Sequence, residues 1–372
     1  MITISDGFYD YLVNVPLLNR LHWPFTWQLF ITNLFNGKYL SDNGNACEFL
    51  SILLSSLNIF KQCYRHVDPF SVALVFMGVV ATIHYFVSIV TNNYSQVDKS
   101  WSILPSIYAW HFFYNDYLNR GTIHPRLLLG AILITLWGFR LTLNFARKGG
   151  YEWKGQDYRY PYIKSKIGPI AMGLLNITVI APFQDTLLLF MVSPLYLTNL
   201  TYQPDTNASL TVLDLVATGL FTLFLGIEMI ADEQQYVFQT EKYCLFKHMK
   251  GKQLVGDYHR GFLTQGLFKY SRHPNFFAEM GIWWSIYLFS VSASTDVLKT
   301  IPEQVSWLDP WTWINWTIVG PLTLTLLFQG STWLTERISS EKYPEYKIYQ
   351  QKVNRFFPWR SSWKTLSSTK HD

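Results

Sequence analysis

Charge is what this sequence has least of. Only 15% of its 372 residues are Asp, Glu, Lys or Arg, against roughly 25% in an ordinary soluble domain. Cysteine is scarce as well. Cys47, Cys63 and Cys244 form neither a metal-binding spacing nor a disulfide framework, so no metal site is expected. There is no G-x-G-x-x-G, no G-x-x-x-x-G-K-[ST] and no H-E-x-x-H, which removes the dinucleotide fingerprint, the P-loop and the zinc-protease motif. The stretch from Met1 to Asp10 has no basic region followed by an apolar core, so no cleavable signal peptide is expected. No internal repeat or low-complexity linker interrupts the chain. The basic residues lie between apolar runs, which gives no case for nucleic-acid binding, and no protein partner is expected.

Apolar surface is abundant. Hydrophobic residues make up 49% of the chain, and 15 Trp and 23 Tyr form the kind of inventory that anchors helices at the lipid headgroups. A membrane-crossing helix needs about 20 apolar residues. The runs Ser71–Asn92, Trp101–Leu118, Arg126–Ala146, Ile170–Leu197, Thr211–Ala231, Phe276–Ser294 and Trp313–Leu334 meet or approach that length. The expected fold is therefore an all-α, polytopic membrane helix bundle with about seven transmembrane helices. Residues 1–70 are expected to form an N-terminal region with interfacial or short membrane helices, around Trp23–Phe35 and Phe49–Phe60. Residues 71–372 are expected to form the membrane domain and its tail.

Orientation is read from Lys and Arg in the connections. Arg147–Pro169 carries six, Asp232–Asn275 seven and the segment after Thr335 eight, whereas Thr198–Leu210 carries none and Thr295–Thr312 one. The three basic segments, including the C-terminus, are expected in the cytosol. The sequons at Asn199 and Asn207 fall on the opposite side, where glycosylation occurs.

Ionisable residues inside spans cost roughly 2.5–3.5 kcal/mol each at a helix centre, yet here they gather at matching depth. Asp98, Trp101, Ser102 and Pro105 have the spacing of one helix face. So do Arg140, Asn144 and Arg147, and so do Glu228, Asp232 and Gln235. Snorkelling to the headgroups accounts for the cations better than for the short carboxylates, so the three faces together point to a functional cavity. Asp98 and Arg140 are a candidate structural pair. The segment from Gly266 to Glu279 places Lys269, Arg272 and His273 just before Pro274, a residue favoured in a first helical turn. A helix start with free N–H groups and nearby cations suits a phosphate or carboxylate. Further on, Tyr346, Tyr349 and Val353 share one face of a short helix that reads as interfacial.

Taken in order, Asp98-x-x-Trp101-Ser102-x-x-Pro105, Gly155-x-Asp157-x-Arg159-Tyr160, Glu228-x-x-x-Asp232, Ser271-Arg272-His273-Pro274-Asn275-Phe276 and Pro344-x-Tyr346-x-x-Tyr349 with Phe356-Phe357-Pro358-Trp359 resemble the steroid 5α-reductase-like membrane oxidoreductases. The resemblance spans roughly residues 70–360. The Arg-His-Pro-Asn core is shared more loosely with sterol Δ14-reductases and isoprenylcysteine and phospholipid methyltransferases. Phe276 stands where the family usually has Tyr.

The resemblance implies an integral protein of the endoplasmic reticulum that reduces a C=C bond of a steroid or other lipid with NADPH. Lys269, Arg272, His273, Asn275, Glu279, Tyr346, Tyr349 and Arg355 are the expected cofactor-binding residues. Glu228, Asp232 and Tyr160 are the expected proton donors. Arg272→Ala and Glu279→Gln are expected to abolish turnover without unfolding the protein. The alternatives are an S-adenosylmethionine-dependent lipid or isoprenylcysteine methyltransferase and a non-catalytic lipid-binding protein.

Overall fold

The computed structural model describes residues 64–65, 67–202, 209–248, 254–299 and 310–359. The helices expected before residue 64 and the sequon at Asn207 lie outside the described residues. Among those residues the protein is helical, with no β-strand.

Local signals set the helix ends. The first long helix, α1 (Pro69–Thr91), starts with proline in its first turn and with Asp68 accepting a hydrogen bond from the Ser71 amide at 2.7 Å, a side-chain cap for a donor that the helix leaves unpaired. It stops at Asn92, which is left-handed with φ 52° and returns its N–H to Ile89 and Ser88. The short α2 (Gln96–Ser100) leads into α3 (Leu104–Arg120), which ends at a left-handed Gly121. Proline again opens α4 (Pro125–Arg147).

Next comes α5 (Arg159–Leu175), broken at Gly168, whose φ of 82° only glycine adopts readily, followed by Pro169. A π-helical turn over Asn176–Ile180 links it to α6 (Pro182–Thr201). The run expected as one span from Ile170 passes without a break from α5 through this π-turn into α6, and the kink at Gly168 precedes it. Beyond lie α7 (Val212–His248), the short α8 (Gly256–Arg260), α9 (Pro274–Lys299), α10 (Val319–Lys342) and α11 (Tyr346–Lys352).

Helices thus occupy all seven apolar runs. The segments Pro69–Thr91, Pro125–Arg147, Arg159–Thr201 and Val212–His248 are long and apolar enough to cross a membrane. This supports an integral membrane helix bundle.

The core centres on α6, which is buried on every face from Leu187 to Thr201 apart from Phe190, as a helix enclosed by others must be. It packs against α1, α3, α9 and α10, while α7 and α9 form the broadest helix pair. Close approach depends on small residues, the usual means of packing helices in lipid. A Cβ on Gly320 would collide with the Phe190 carbonyl, and one on Gly138 with the Ser102 carbonyl.

Three expectations change here. Asp98 sits on α2 and Pro105 on α3, separated by a turn at Trp101, so that face is not one continuous helix. Asn199 is fully buried in the last turn of α6 and is inaccessible to glycosylation in the folded chain. The α11 face of Tyr346 and Tyr349 packs with Phe262 and Val353 inside the protein, not on a membrane surface.

Because Gly320 faces rigid backbone, Gly320→Ala should destabilise the protein by about 1–3 kcal/mol, the usual cost of overpacking. Thermal unfolding in detergent would measure it. An unchanged midpoint would contradict the close α6–α10 approach.

Candidate functional site

The polar faces of α4, α7 and α9 converge at one end of the bundle. Arg140 on α4 lies 2.7 Å from Glu228 and 2.7 Å from Asp232, both on α7, and 4.0 Å from Glu279 on α9. Asn144, one turn further along α4, donates to Asp232 at 2.8 Å, and Lys148 lies 3.9 Å from it. Glu279 accepts two indole N–H groups, from Trp137 at 2.8 Å and from Trp283 at 2.9 Å. A carboxylate that receives two indoles is held at both oxygens. Arg140 therefore partners α7 and α9, and the expected pair with Asp98 is not formed.

Of these residues, Asn144, Lys148, Glu228, Asp232 and Glu279 line a cavity of about 700 Å³, within the roughly 300–1,000 Å³ typical of ligand sites. Glu228, Asp232, Asn275, Glu279 and Tyr160 all border it. So do Asp98, Asp157, Arg159, Lys148 and Gln184. The rest of the lining is largely apolar, with Leu141 and Phe145 from α4, Ile163 from α5 and Leu326, Leu327, Phe328 and Leu334 from α10. Phe276 stacks on His273, with ring centroids 5.5 Å apart, and packs on Phe328 at 4.7 Å. Burial, with the nearby Asp157 carboxylate adding to it, pushes the Asp98 carboxyl up to about 6. Tyr160 donates to Asp98 at 3.5 Å. Three buried acceptors at the cavity have no hydrogen-bond partner: Asp98 Oδ2, Glu228 Oε2 and Gln184 Oε1.

The second expected constellation folds into a separate knot. Arg272 grips Glu336 of α10 through Nε at 2.6 Å and Nη2 at 3.1 Å, and Nη1 donates to the carbonyls of Gln350, at 2.9 Å, and Val353. His273 Nε2 lies 3.0 Å from the same carboxylate. Burial holds the imidazole below its ordinary value against the pull of Glu336. The backbone joins in, with the Arg272 amide bonding to Asn354 at 2.9 Å and that of His273 to Arg355 at 3.0 Å. Tyr349 donates to the Phe268 carbonyl, and Tyr346 is buried beside it.

Arg272, His273, Tyr346 and Tyr349 therefore direct their polar groups or their bulk into the protein and do not line the cavity. Lys269, half-buried, sits over the Tyr270 ring at 5.9 Å. The Arg355 side chain is 41% exposed and 3.9 Å from Glu336. Glu336 itself has no local signal in the sequence, because its partner Arg272 is 64 residues away.

At the far end of the bundle a second clamp went unread. Arg126 on α4 binds Asp214 of α7 and Asp296 of α9, each at 2.8 Å. Among the described residues no group of three or more His, Cys, Asp or Glu is arranged to hold a metal ion.

The family described as a protein of unknown function (DUF1295) matches residues 84–353, and the chain belongs to it. An uncharacterized protein of Schizosaccharomyces pombe is 37% identical over 313 residues, which cover 83% of this chain and 85% of that protein. No solved structure matches the chain.

Two outcomes follow from this geometry. Removing one member of a buried ion pair strands the other, typically at about 3–5 kcal/mol. Arg272→Ala and Glu336→Gln should both lower the unfolding temperature with no ligand added, reversing the expectation that Arg272 is dispensable for folding. Unchanged midpoints would contradict the knot. For Asp98, a folded value of about 6 against the ordinary 3.8 means that ionisation is disfavoured in the fold. Wild-type stability relative to Asp98→Asn should therefore fall as pH rises through that window and stay level outside it. A difference independent of pH would contradict a buried Asp98.

Proposed function

We propose that the chain is a membrane-embedded oxidoreductase that reduces a C=C bond of a steroid or other lipid with NADPH, at the cavity between α4, α7, α9 and α10. The observation that carries this reading is the cavity's mixed lining. Carboxylates and unpaired acceptors share it with an aliphatic and aromatic surface drawn mostly from α10. The order of motifs shared with steroid 5α-reductase-like proteins supports it as well. Seven spans, a cytosolic C-terminus and residence in the endoplasmic reticulum belong to the same proposal. Their support is that the basic segments flanking α4, α7 and α10 meet at the end of the bundle where the cavity lies.

The residues suit the cofactor on one specific count. A nicotinamide riboside presents a carboxamide NH2 and ribose hydroxyls, and Glu228 Oε2 is a buried acceptor without a donor, with Asn275 and Glu279 beside it on the cavity wall. Unpaired buried acceptors are costly until a donor arrives. Lys148, Lys269 and Arg355 keep cationic ends for phosphates, including the 2′-phosphate that separates NADPH from NADH. Arg272, His273, Tyr346 and Tyr349 act indirectly, by fixing the start of α9 and hence Asn275 and Glu279.

NADPH, when bound, supplies a hydride to the electron-poor carbon of the alkene. The protein supplies the proton. Asp232 is the weakest of the expected donors, since Arg140 and Asn144 both hold its Oδ2 and Lys148 lies 3.9 Å from its Oδ1. Tyr160 is the strongest, because its hydroxyl lies at the cavity and is backed by Asp98, a carboxyl raised toward neutrality that can replace the phenolic proton. Glu228 would then serve in binding. The apolar α10 wall holds the lipid and excludes water from the reacting carbons.

One observation favours a second reading. Asp98 Oδ2 and Glu228 Oε2, carboxyl oxygens at the cavity without a hydrogen-bond partner, would also suit the sulfonium cation of S-adenosylmethionine in a methyltransferase. Thermal-shift curves separate the two. A ligand that binds only the folded state raises the midpoint in proportion to its occupancy. NADPH should raise the wild-type midpoint, NADH less, and S-adenosylmethionine not at all, and Glu228→Gln should lose the NADPH effect. Stabilisation by S-adenosylmethionine alone would replace the reductase reading with the methyltransferase one.

A further inference from the structure

The connection from α4 into α5 carries more positive charge than the protein itself engages. Residues 147–169 hold six basic and two acidic side chains. Half of the six are taken up internally. Arg147 pairs with Glu233, Lys148 lies 3.9 Å from Asp232, and Arg159 pairs with Asp157. Lys154, Lys164 and Lys166 form no salt bridge among the described residues. Lys154 is exposed, Lys164 donates to the Asn92 side chain at 2.8 Å, and Lys166 lies 5.3 Å from the centre of the Tyr162 ring. The acids nearby do not offset them. Glu341 of α10, which feels Lys166, is already held by Arg337 and Tyr162, and the exposed Glu152 is one charge against three.

Exposed apolar groups accompany these lysines. Trp153 is 77% exposed, and Tyr158 and Ile167 are exposed as well. Rings and aliphatic tips among unpaired cations are the mixture that settles at lipid headgroups. The far side of Gly168 fixes the depth. No charged residue occurs from Ile167 to Gln184, and Ile170, Leu174 and Ile177 are 82%, 62% and 48% exposed. Their spacing makes one outward stripe, suited to hydrocarbon. The backbone bends between the two regions at Gly168, where a Cβ would meet nothing within 4 Å, so the glycine serves the bend and not a close contact. The lysines therefore sit at the level of the phosphates, with hydrocarbon beginning near Ile170. Lys247, also exposed, is placed differently. It lies fifteen residues beyond Asp232 on the unbroken α7, about 22 Å along the axis.

We propose that residues 153–167 dock on an anionic bilayer surface, where Lys154, Lys164 and Lys166 bind the phosphates of acidic phospholipids, and that this contact holds the part of the cavity lining that the same segment builds. Tyr160 and Ile163 line the cavity. Lys164 follows Tyr160 by one turn and Lys166 follows Ile163 by three residues, so each cation shares a flank of the helix with a cavity residue. A headgroup that fixes the lysines fixes the angle at which Tyr160 meets Asp98. The docking goes beyond the reductase reading and does not depend on it.

The test places the full chain in phosphatidylcholine nanodiscs with a photoactivatable analogue of phosphatidylserine, or of phosphatidylcholine with the same acyl chains, and maps the labelled peptides. Phosphatidylserine should label residues 151–170 well above phosphatidylcholine, and less so in 1 M salt, where the screening length falls from about 8 Å to about 3 Å. A lysine at an anionic surface strengthens attachment about fivefold. Lys154→Gln, Lys164→Gln and Lys166→Gln together should therefore cut the labelling about a hundredfold, and the three Lys→Arg changes, which keep the charge, should restore it. Removing the same charge at Lys247, Lys342 and Lys347 should leave it unchanged. Hydrogen exchange gives a second readout. The amides of residues 159–167 should exchange more slowly with phosphatidylserine than without it, and the glutamine variant should lose that difference. Equal labelling by the two lipids, an equal loss in the control variant, or protection by inorganic phosphate in place of the bilayer would overturn the docking. Selective labelling with no change in exchange would overturn the hold on the cavity. NADPH enters neither readout, so the reductase reading can fail while the docking stands.

Discussion

Two arginines on a single helix hold the rest of the structure in register. Arg126 and Arg140 are fourteen residues apart on α4, about 21 Å along a helix axis. Each binds carboxylates from the same two neighbours, α7 and α9. The broad α7–α9 pair is thereby fastened to α4 at both ends. In lipid, where apolar contact between helices has no water to exclude, such polar contacts and close packing carry the association. The same clamp concentrates acids at one depth, and so produces the polar wall of the cavity. Glu279 is held by two indoles besides, which aligns α9 with α4 at the level of the site.

The segment Arg272-His273-Pro274-Asn275 divides its labour around that clamp. Its first two residues bind Glu336 and the carbonyls before Asn354, tying the tail to α10 and to the start of α9. Its last residue, Asn275, reaches the cavity. A motif that reads as one anion site is thus half fastener and half binding wall. On the proposed reading the cofactor's polar half would find its partners on α7 and α9 and the lipid's body on α10, with the chemistry near Tyr160 and Asp98.

Much of this was legible because lipid makes simple demands. Apolar runs of span length marked the positions of α1, α3, α4, α6, α7, α9 and α10. The four-residue spacing of Arg140 with Asn144 and of Glu228 with Asp232 marked faces that do meet. What stayed hidden depends on contacts distant in sequence. Nothing near Arg272 points to Glu336, and nothing near Arg126 points to Asp214 or Asp296, because an arginine beside an apolar run also reads as a headgroup anchor. The break at Trp101 and the kink at Gly168 escaped a spacing argument, which assumes an uninterrupted helix. Tyr346 and Tyr349 read as interfacial because an amphipathic face does not reveal whether lipid or protein covers it.

The central claim is that the cavity adds hydrogen across a double bond of a lipid, and the lipids of cells lacking this chain test it most directly. Mass spectrometry of such cells should reveal accumulation of a lipid that differs from its product by one unsaturation, cleared when the wild-type chain is restored. Accumulation of a lipid short of one methyl group, with no change in unsaturation, would contradict the account.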